Sequence, residues 1–385
     1  MKILCIHQGY ELYGSDRTFL ACVDFLREEH PDAEIRVILP KEGALATEMR
    51  QRGYIVEARD LWVLRKSYGW LGLILRGLRL PAFVWRAWKL IGAADMAYIN
   101  TGVIFDYAIA ARWYHRRSMI HVHEIPGKRV RPLFRGLLSF ARAPLIYNSE
   151  ATRAALAIAP AVPQRVVYNG TSGPAEATPA GTEVGRLRIL MIGRINAWKG
   201  QDLLVEALAS LTAEQQARVT VRILGDVFEG APFLDQLRRQ VTAAGLDKRI
   251  EFKGFLANPG EDYRWADIVV VPSREPEPFG LVAIEGMSHA RPVIAARHGG
   301  LTEIVADGQT GWLVAPNDAA ALARAIAGAL DRSPDLAAMG KAARERYLTL
   351  FTHQVFRESF QSAVGGMWSP PRRTARRGDR VDAAQ

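Results

Sequence analysis

The sequence predicts an α/β protein built from two parallel-sheet domains that face a central cleft. Three observations lead there. Short apolar runs alternate with helix-length segments from end to end, the pattern of parallel βαβ units. A stretch rich in Gly, Pro and Thr at residues 171–185 interrupts that alternation, which restarts directly after it. At 385 residues the chain is also too long for one core of average size.

Taken in order, the candidate strands of the first half are residues 3–7, 35–39, 96–100, 120–123 and 145–148. Each is a short apolar run ending near Gly, Pro, Asn or a charged residue, as buried strands do. The second half supplies strands at 187–192, 219–224, 250–252, 268–271, 293–295 and 312–314, and helices at about 319–330, 336–351 and 353–364. The expected organisation is a first domain over 1–170, a linker over 171–185 and a second domain over 186–350. A C-terminal helix at 351–365 is expected to pack back toward the first domain, ahead of a basic, disordered tail at 366–385. No short internal repeat is present.

Composition narrows the function classes. Cys5 and Cys22 are the only cysteines, both in the first strand–helix unit, so neither a disulfide framework nor a Cys-based metal site is expected. The apolar start, Met1 to His7, is too short for a signal peptide. No stretch of eighteen apolar residues suggests a membrane span. A cytoplasmic protein is the expectation.

The net charge of +10 is unevenly placed. Residues 62–91 carry Arg65, Lys66, Arg76, Arg79, Arg86 and Lys89 with no acidic residue, together with Trp62, Trp70, Trp85 and Trp88. A second basic run holds Lys128, Arg129, Arg131, Arg135 and Arg142, and the tail holds Arg372, Arg373, Arg376, Arg377 and Arg380. Residues 62–91 have three readings: a pair of interior helices, a nucleic-acid face, or a patch for an anionic membrane surface. No standard nucleic-acid module is recognisable, and Arg76, Arg79 and Pro81 interrupt the apolar run, so it is not expected to span a bilayer.

In open parallel sheets, ligands sit at the carboxyl ends of strands. The polar residues of interest cluster there. After the strand at 268–271, Glu277 and Glu285 stand on either side of Phe279-Gly280-Leu281, where a helix is expected to begin near Gly280. Helix starts present free N–H groups that attract phosphate, and flanking carboxylates suit the hydroxyls of a bound sugar and ribose. Arg194 and Lys199 flank the strand-to-helix loop after 187–192, where they suit a diphosphate. No Asp-x-Asp pair exists to hold a divalent metal, so these two cations would neutralise the leaving diphosphate instead.

Gly193-Arg194 with Lys199-Gly200, Phe252-Lys253-Gly254-Phe255, Pro272-Ser273, Glu277-x7-Glu285 and Gly299-Gly300 with Glu303 occur in one order over about residues 165–350. In that order they resemble the donor domain of retaining GT-B glycosyltransferases of family 4. The resemblance implies a GT-B architecture of two Rossmann-like domains. It implies that Glu285 holds the ribose, that Glu277 contacts the donor sugar near its reacting centre, and that the Phe279, Gly280 and Leu281 backbone meets sugar or phosphate. Arg194 and Lys199 would bind the diphosphate, with no metal and no cofactor, and the leaving phosphate oxygen would take the acceptor's proton.

The first half resembles the family less closely. Tyr13-Gly14-Ser15-Asp16-Arg17 stands where the family's glycine-rich loop commonly carries two adjacent glycines and a glutamate, so Gly14 is the candidate for close approach to phosphate or sugar. In His121-Val122-His123-Glu124, His123 resembles the family's cleft histidine, the alternative being a histidine merely hydrogen-bonded to backbone. The implied activity moves a hexosyl unit from a nucleotide diphosphate sugar to a glycan or polyprenyl-linked glycan, in cell-surface polysaccharide or lipopolysaccharide synthesis. It selects the membrane-surface reading of 62–91, on the cytoplasmic face, and no nucleic-acid partner. The alternatives are a nucleotide-sugar epimerase or hydrolase, a phosphorylase, or a non-catalytic component of a polysaccharide assembly complex.

Overall fold

The computed structural model describes residues 1–63, 70–180, 183, 185–227, 232–331 and 335–368, without the side chains of 70–75. Arg65, Lys66, the Trp70 side chain and the tail arginines lie outside the described residues. The chain forms two compact units: Met1–Tyr147 with Leu156–Arg165 and the segment from Phe360, and Asn148–Ala155 with Val166–Ser359.

The first unit is built on strands β1 (Lys2–His7), β2 (Glu34–Leu39), β3 (Ile55–Ala58), β4 (Met96–Asn100), β5 (Ser118–Val122), β6 (Leu145–Tyr147) and β7 (Gln164–Val166), in the order β3-β2-β1-β4-β5-β6-β7. The paired strands from β3 to β6 are parallel. Ile3, Leu4, Cys5 and Ile6 are all buried, as a strand with helices over both faces requires. The strand order reverses between β1 and β4, which opens a crevice at their carboxyl ends. Register then decides what lines it. His7 pairs with Asn100 and Asn100 with His121, so three polar side chains form one row across the sheet.

The second unit repeats the plan with β8 (Leu187–Ile192), β9 (Val219–Leu224), β10 (Ile250–Gly254), β11 (Ile268–Val271), β12 (Val293–Ala296) and β13 (Gly311–Val314), ordered β10-β9-β8-β11-β12-β13. Its reversal falls between β8 and β11, so the loops leaving those two strands emerge side by side. The units interleave at a place the sequence does not mark. Segment Asn148–Ala155 belongs to the second unit, where Ser149 Oγ donates to the Pro278 carbonyl at 2.5 Å. Glu303 caps the helix Glu150–Leu156 by accepting from the N–H groups of Glu150 and Ala151, each at 2.8 Å.

The basic aromatic stretch differs from its expectation in two respects. Trp62 is core: it packs on Phe105 at 5.3 Å between centroids, and its Nε1–H donates to the Arg76 carbonyl at 2.8 Å. Residues Trp70–Gly92 form a single helix that continues through Pro81. A proline removes the bond to the carbonyl four residues back, here Gly77, and that turn is exposed, so water can satisfy the freed carbonyl. Among the described residues no helix is long and apolar enough to cross a membrane. The last helix, His353–Met367, ends beside a buried Trp368, two residues further on than the sequence suggested, and from Phe360 it belongs to the first unit.

Candidate active site

In the second unit, β8 runs into the loop from Gly193 to Gly200. Gly200 has φ +80, and a Cβ there would lie 2.3 Å from the Pro272 carbonyl oxygen, so only glycine lets this loop press against the end of β11. The Asn196 side chain accepts from the N–H groups of Trp198 and Lys199, both at 3.1 Å, which holds the turn before the helix Gln201–Ala209. The Lys199 ammonium lies under the Trp198 ring, 4.7 Å from its centroid.

The loop leaving β11 brings Glu277 to that ammonium. Lys199 Nζ donates to Glu277 Oε1 at 2.6 Å, and Ser273 Oγ donates to the same oxygen at 2.5 Å. Glu277 is only 6 % exposed. Burial pushes its carboxyl upward, but the Lys199 charge and the two hydrogen bonds outweigh that and hold it below the ordinary range. Gly299, at φ +61, and Gly300 carry the neighbouring loop over the Glu277–Phe279 backbone, and Gly300 N–H donates to the Glu277 carbonyl at 2.8 Å. His298 Nε2–H reaches the Ser273 carbonyl at 2.8 Å, locking the same loop from the other side.

Helix Leu281–Ser288 starts at Gly280, whose φ of +129 demands glycine. Its first N–H groups have no partner within the helix, which makes them donors for an anion. One turn in, Glu285 Oε2 accepts from the buried Tyr263 hydroxyl at 2.7 Å, and Tyr263 stacks on His289. Arg194 is exposed on the first loop, its carbonyl held by Gln201 Nε2 at 2.9 Å. The second unit thus gathers Arg194, Lys199, Glu277, Phe279, Gly280, Leu281 and Glu285 at the carboxyl ends of β8 and β11. Tyr263, which holds Glu285, escaped the sequence reading, and Ser273, which holds Glu277, entered it only within the family-like Pro272-Ser273 pair and without a role.

The first unit holds its own polar row. Asn100 Nδ2 donates to His7 Nδ1 at 2.9 Å, and His7 Nε2–H donates to Asp16 Oδ1 at 2.9 Å. His123 Nε2–H and the Tyr98 hydroxyl both donate to Asn100 Oδ1, at 2.8 and 2.9 Å. Burial, with His7 adding to it, pushes His123 down to about 3, so this ring is neutral near pH 7. His121 is fully buried below it and engages Tyr98, so His123 is the ring of the two that retains exposure. Gly14 opens the helix Gly14–Glu29, and Asp16 accepts from the Tyr13 N–H at 3.1 Å. Asn100 is the functional candidate the sequence reading missed, although a polar residue closing a buried apolar strand is a signal. Among the described residues no group of three His, Cys, Asp or Glu side chains could hold a metal ion.

Fold and side chains define a protein of two parallel-sheet units, each with its polar groups at strand carboxyl ends. Residues 176–346 match the family described as glycosyl transferases group 1. Over 163 residues the chain is 39% identical to D-inositol 3-phosphate glycosyltransferase 2 of Catenulispora acidiphila, covering 41% of this chain and 38% of that one. Over 175 residues it is 37% identical to the lipopolysaccharide core biosynthesis mannosyltransferase LpcC of Rhizobium leguminosarum, covering 43% and 49%. The chain therefore spans less than half the length of these relatives. It superposes on Anabaena Alr3699/HepE, solved with UDP-glucose, with a TM-score of 0.75 at 25% identity, over 95% of this chain and 100% of that one. Residues 176–346 thus form a glycosyl transferases group 1 domain, within a chain that has the GT-B architecture of two parallel-sheet units.

Proposed function

We propose that the protein transfers a hexosyl unit from a nucleotide diphosphate sugar to a glycan or polyprenyl-linked glycan, with retention, without a bound metal or cofactor, and while docked on the cytoplasmic face of the membrane. The observation that carries this reading is the Lys199–Glu277 pair beside the helix start at Gly280. A diphosphate at that helix start competes for the Lys199 ammonium. Glu277 is then released to accept hydrogen bonds from sugar hydroxyls, while Glu285 takes the ribose. Arg194 joins Lys199 in stabilising the leaving diphosphate, where one preorganised donor is worth about 2.7–4 kcal/mol at a developing oxyanion.

The relatives support the class of substrate: one is named as a lipopolysaccharide core mannosyltransferase, and a structural neighbour was solved with UDP-glucose. Purified protein is expected to hydrolyse or transfer from its donor in a chelator, and Glu277→Ala is expected to abolish this. Undiminished turnover by Glu277→Ala would remove that residue from the site.

A further inference from the structure

At the opposite end of the first sheet lies an open cavity of about 1260 Å³ that the proposed reaction does not use. It sits where β5, β6 and β7 begin, lined by Trp113, His115, Arg116, Arg117, Arg142 and Met367 among others, with no acidic residue on its walls. The candidate histidine follows the other end of β5, about 16 Å away for a five-residue strand. The cavity is therefore separate from the polar row at His7, Asn100 and His123.

We infer that this edge of the first unit is a membrane-docking surface, and that its cavity seats the phosphate headgroup of an anionic phospholipid. The inference rests on the membrane-associated reading above and gives it an address. Four aromatic rings of the first unit stand out to solvent, Trp113 on the cavity wall itself: Trp113 is 59 % exposed, Trp85 54 %, Phe140 47 % and Trp88 40 %. Two of them reach the cavity wall through contacts with its lining residues: Trp88 contacts Tyr114 at 6.0 Å and Phe140 meets Trp113 edge-on at 6.5 Å. Rings with one apolar face and one polar edge belong at headgroup depth. Cations are threaded among them: Lys89 over Trp85 at 3.8 Å, Arg112 near Phe140 at 5.9 Å and Arg117 over Tyr114 at 4.5 Å.

Charge selects the occupant. Between Asp106 and Glu150 the only acidic residue is Glu124, and it is engaged by the Thr101 hydroxyl and the Gly102 N–H. Neither Arg116 nor Arg142 makes a salt bridge among the described residues. The sequence beyond Trp368 is itself net basic, so it cannot neutralise this cavity. Arg142 adds an independent sign. It occupies the left-handed position that ends the helix Arg131–Ala141, with φ +54, where glycine is the favourable residue. The fold carries an arginine at a site where stability alone favours Gly.

The test is co-sedimentation of the full chain with vesicles of phosphatidylcholine alone and of phosphatidylcholine mixed with phosphatidylglycerol, at low and high salt. Binding is expected only with the anionic vesicles, and salt is expected to release it. Each basic residue near such a surface is worth about five-fold in partition, so the double variant Arg116→Glu/Arg142→Gly is expected to lose at least about twenty-fold. Its Tm should stay level or rise, because Arg142→Gly relieves the left-handed backbone. A control that removes the same three units of charge from the second unit, Arg238→Gln/Arg239→Glu, should bind to within about two-fold of the unaltered chain. Absent binding, undiminished binding by the cavity variant, or equal loss in the control would overturn the inference. So would tighter binding to a single-stranded RNA oligonucleotide with the same sensitivity to the cavity variant. Donor hydrolysis measured without vesicles in the same preparations tests the transferase reading by itself, so the two failures are distinguishable.

Discussion

Lys199 Nζ and Glu277 Oε1 lie 2.6 Å apart where the loops leaving β8 and β11 meet, and each explains the other's state. Without the ammonium, a carboxylate this buried would be pushed to a raised pKa; with it, Glu277 stays ionised and below its ordinary range. The folded pKa is depressed, so the stabilisation is present above the unfolded value and is lost as pH falls through the folded one. Lys199→Met reverses that sign. Burial alone then raises the Glu277 pKa, so the contribution falls as pH rises. Urea denaturation should show the variant destabilised by about 3 kcal/mol near neutral pH, at the low end for a broken buried pair because the lysine is partly exposed. The difference should shrink toward pH 4. A pH-independent difference would contradict the account.

Gly299 is the hinge of the adjoining loop. A Cβ there would lie 2.2 Å from the Glu277 carbonyl oxygen, and φ is +61. Gly299→Ala must therefore displace the Glu277 backbone. A shift of about 1 Å at a positioning residue costs roughly a hundred-fold in rate. Steady-state kinetics should show that loss chiefly in kcat, with circular dichroism unchanged.

Glu303 is a structural residue although it belongs to the family-like pattern. Its carboxylate accepts two N–H groups at the start of the helix Glu150–Leu156. Loss of such a cap costs about 1–2 kcal/mol. Glu303→Ala should lower Cm in urea by that amount while leaving the affinity for donor nucleotide within error.

Asp106 shows the opposite linkage. Burial raises its carboxyl to about 7, backbone N–H groups notwithstanding, and Oδ1 has no partner. Because the folded pKa is raised, the folded state holds a proton that the unfolded chain gives up, and stability falls as pH rises from about 4 to 7. Asp106→Asn keeps the shape without the charge. Its Tm should exceed that of the unaltered chain at pH 8 and approach it at pH 4.

Much of this was legible in the sequence because buried parallel strands announce themselves. Every expected strand has a counterpart, and the helix starts at Gly280 as the phosphate-site pattern required. The strands that escaped, β3 and β7, are short edge strands with only a few apolar residues, such as Ile55 and Val56. The grouping of Lys199 with Glu277 was readable only as proximity. Its geometry depends on strand order, which places β8 beside β11 although 76 residues separate Ile192 from Ile268. Trp62 was misplaced on the surface patch for a similar reason, since its partner Phe105 comes from a distant helix. Asn100 joins His7 and His123 through register alone, and a single sequence does not print register.

The central claim is that the carboxyl ends of β8 and β11 hold a nucleotide diphosphate sugar. Isothermal titration with a panel of UDP-, GDP- and ADP-sugars, in a chelator, tests it most directly. The account predicts that one nucleotide class binds the unaltered chain, and that affinity falls at least about ten-fold in Glu285→Ala and in Lys199→Met, as expected when a charge-assisted hydrogen bond worth about 1.5–3 kcal/mol is lost. Equal affinity of both variants for the preferred donor would contradict it.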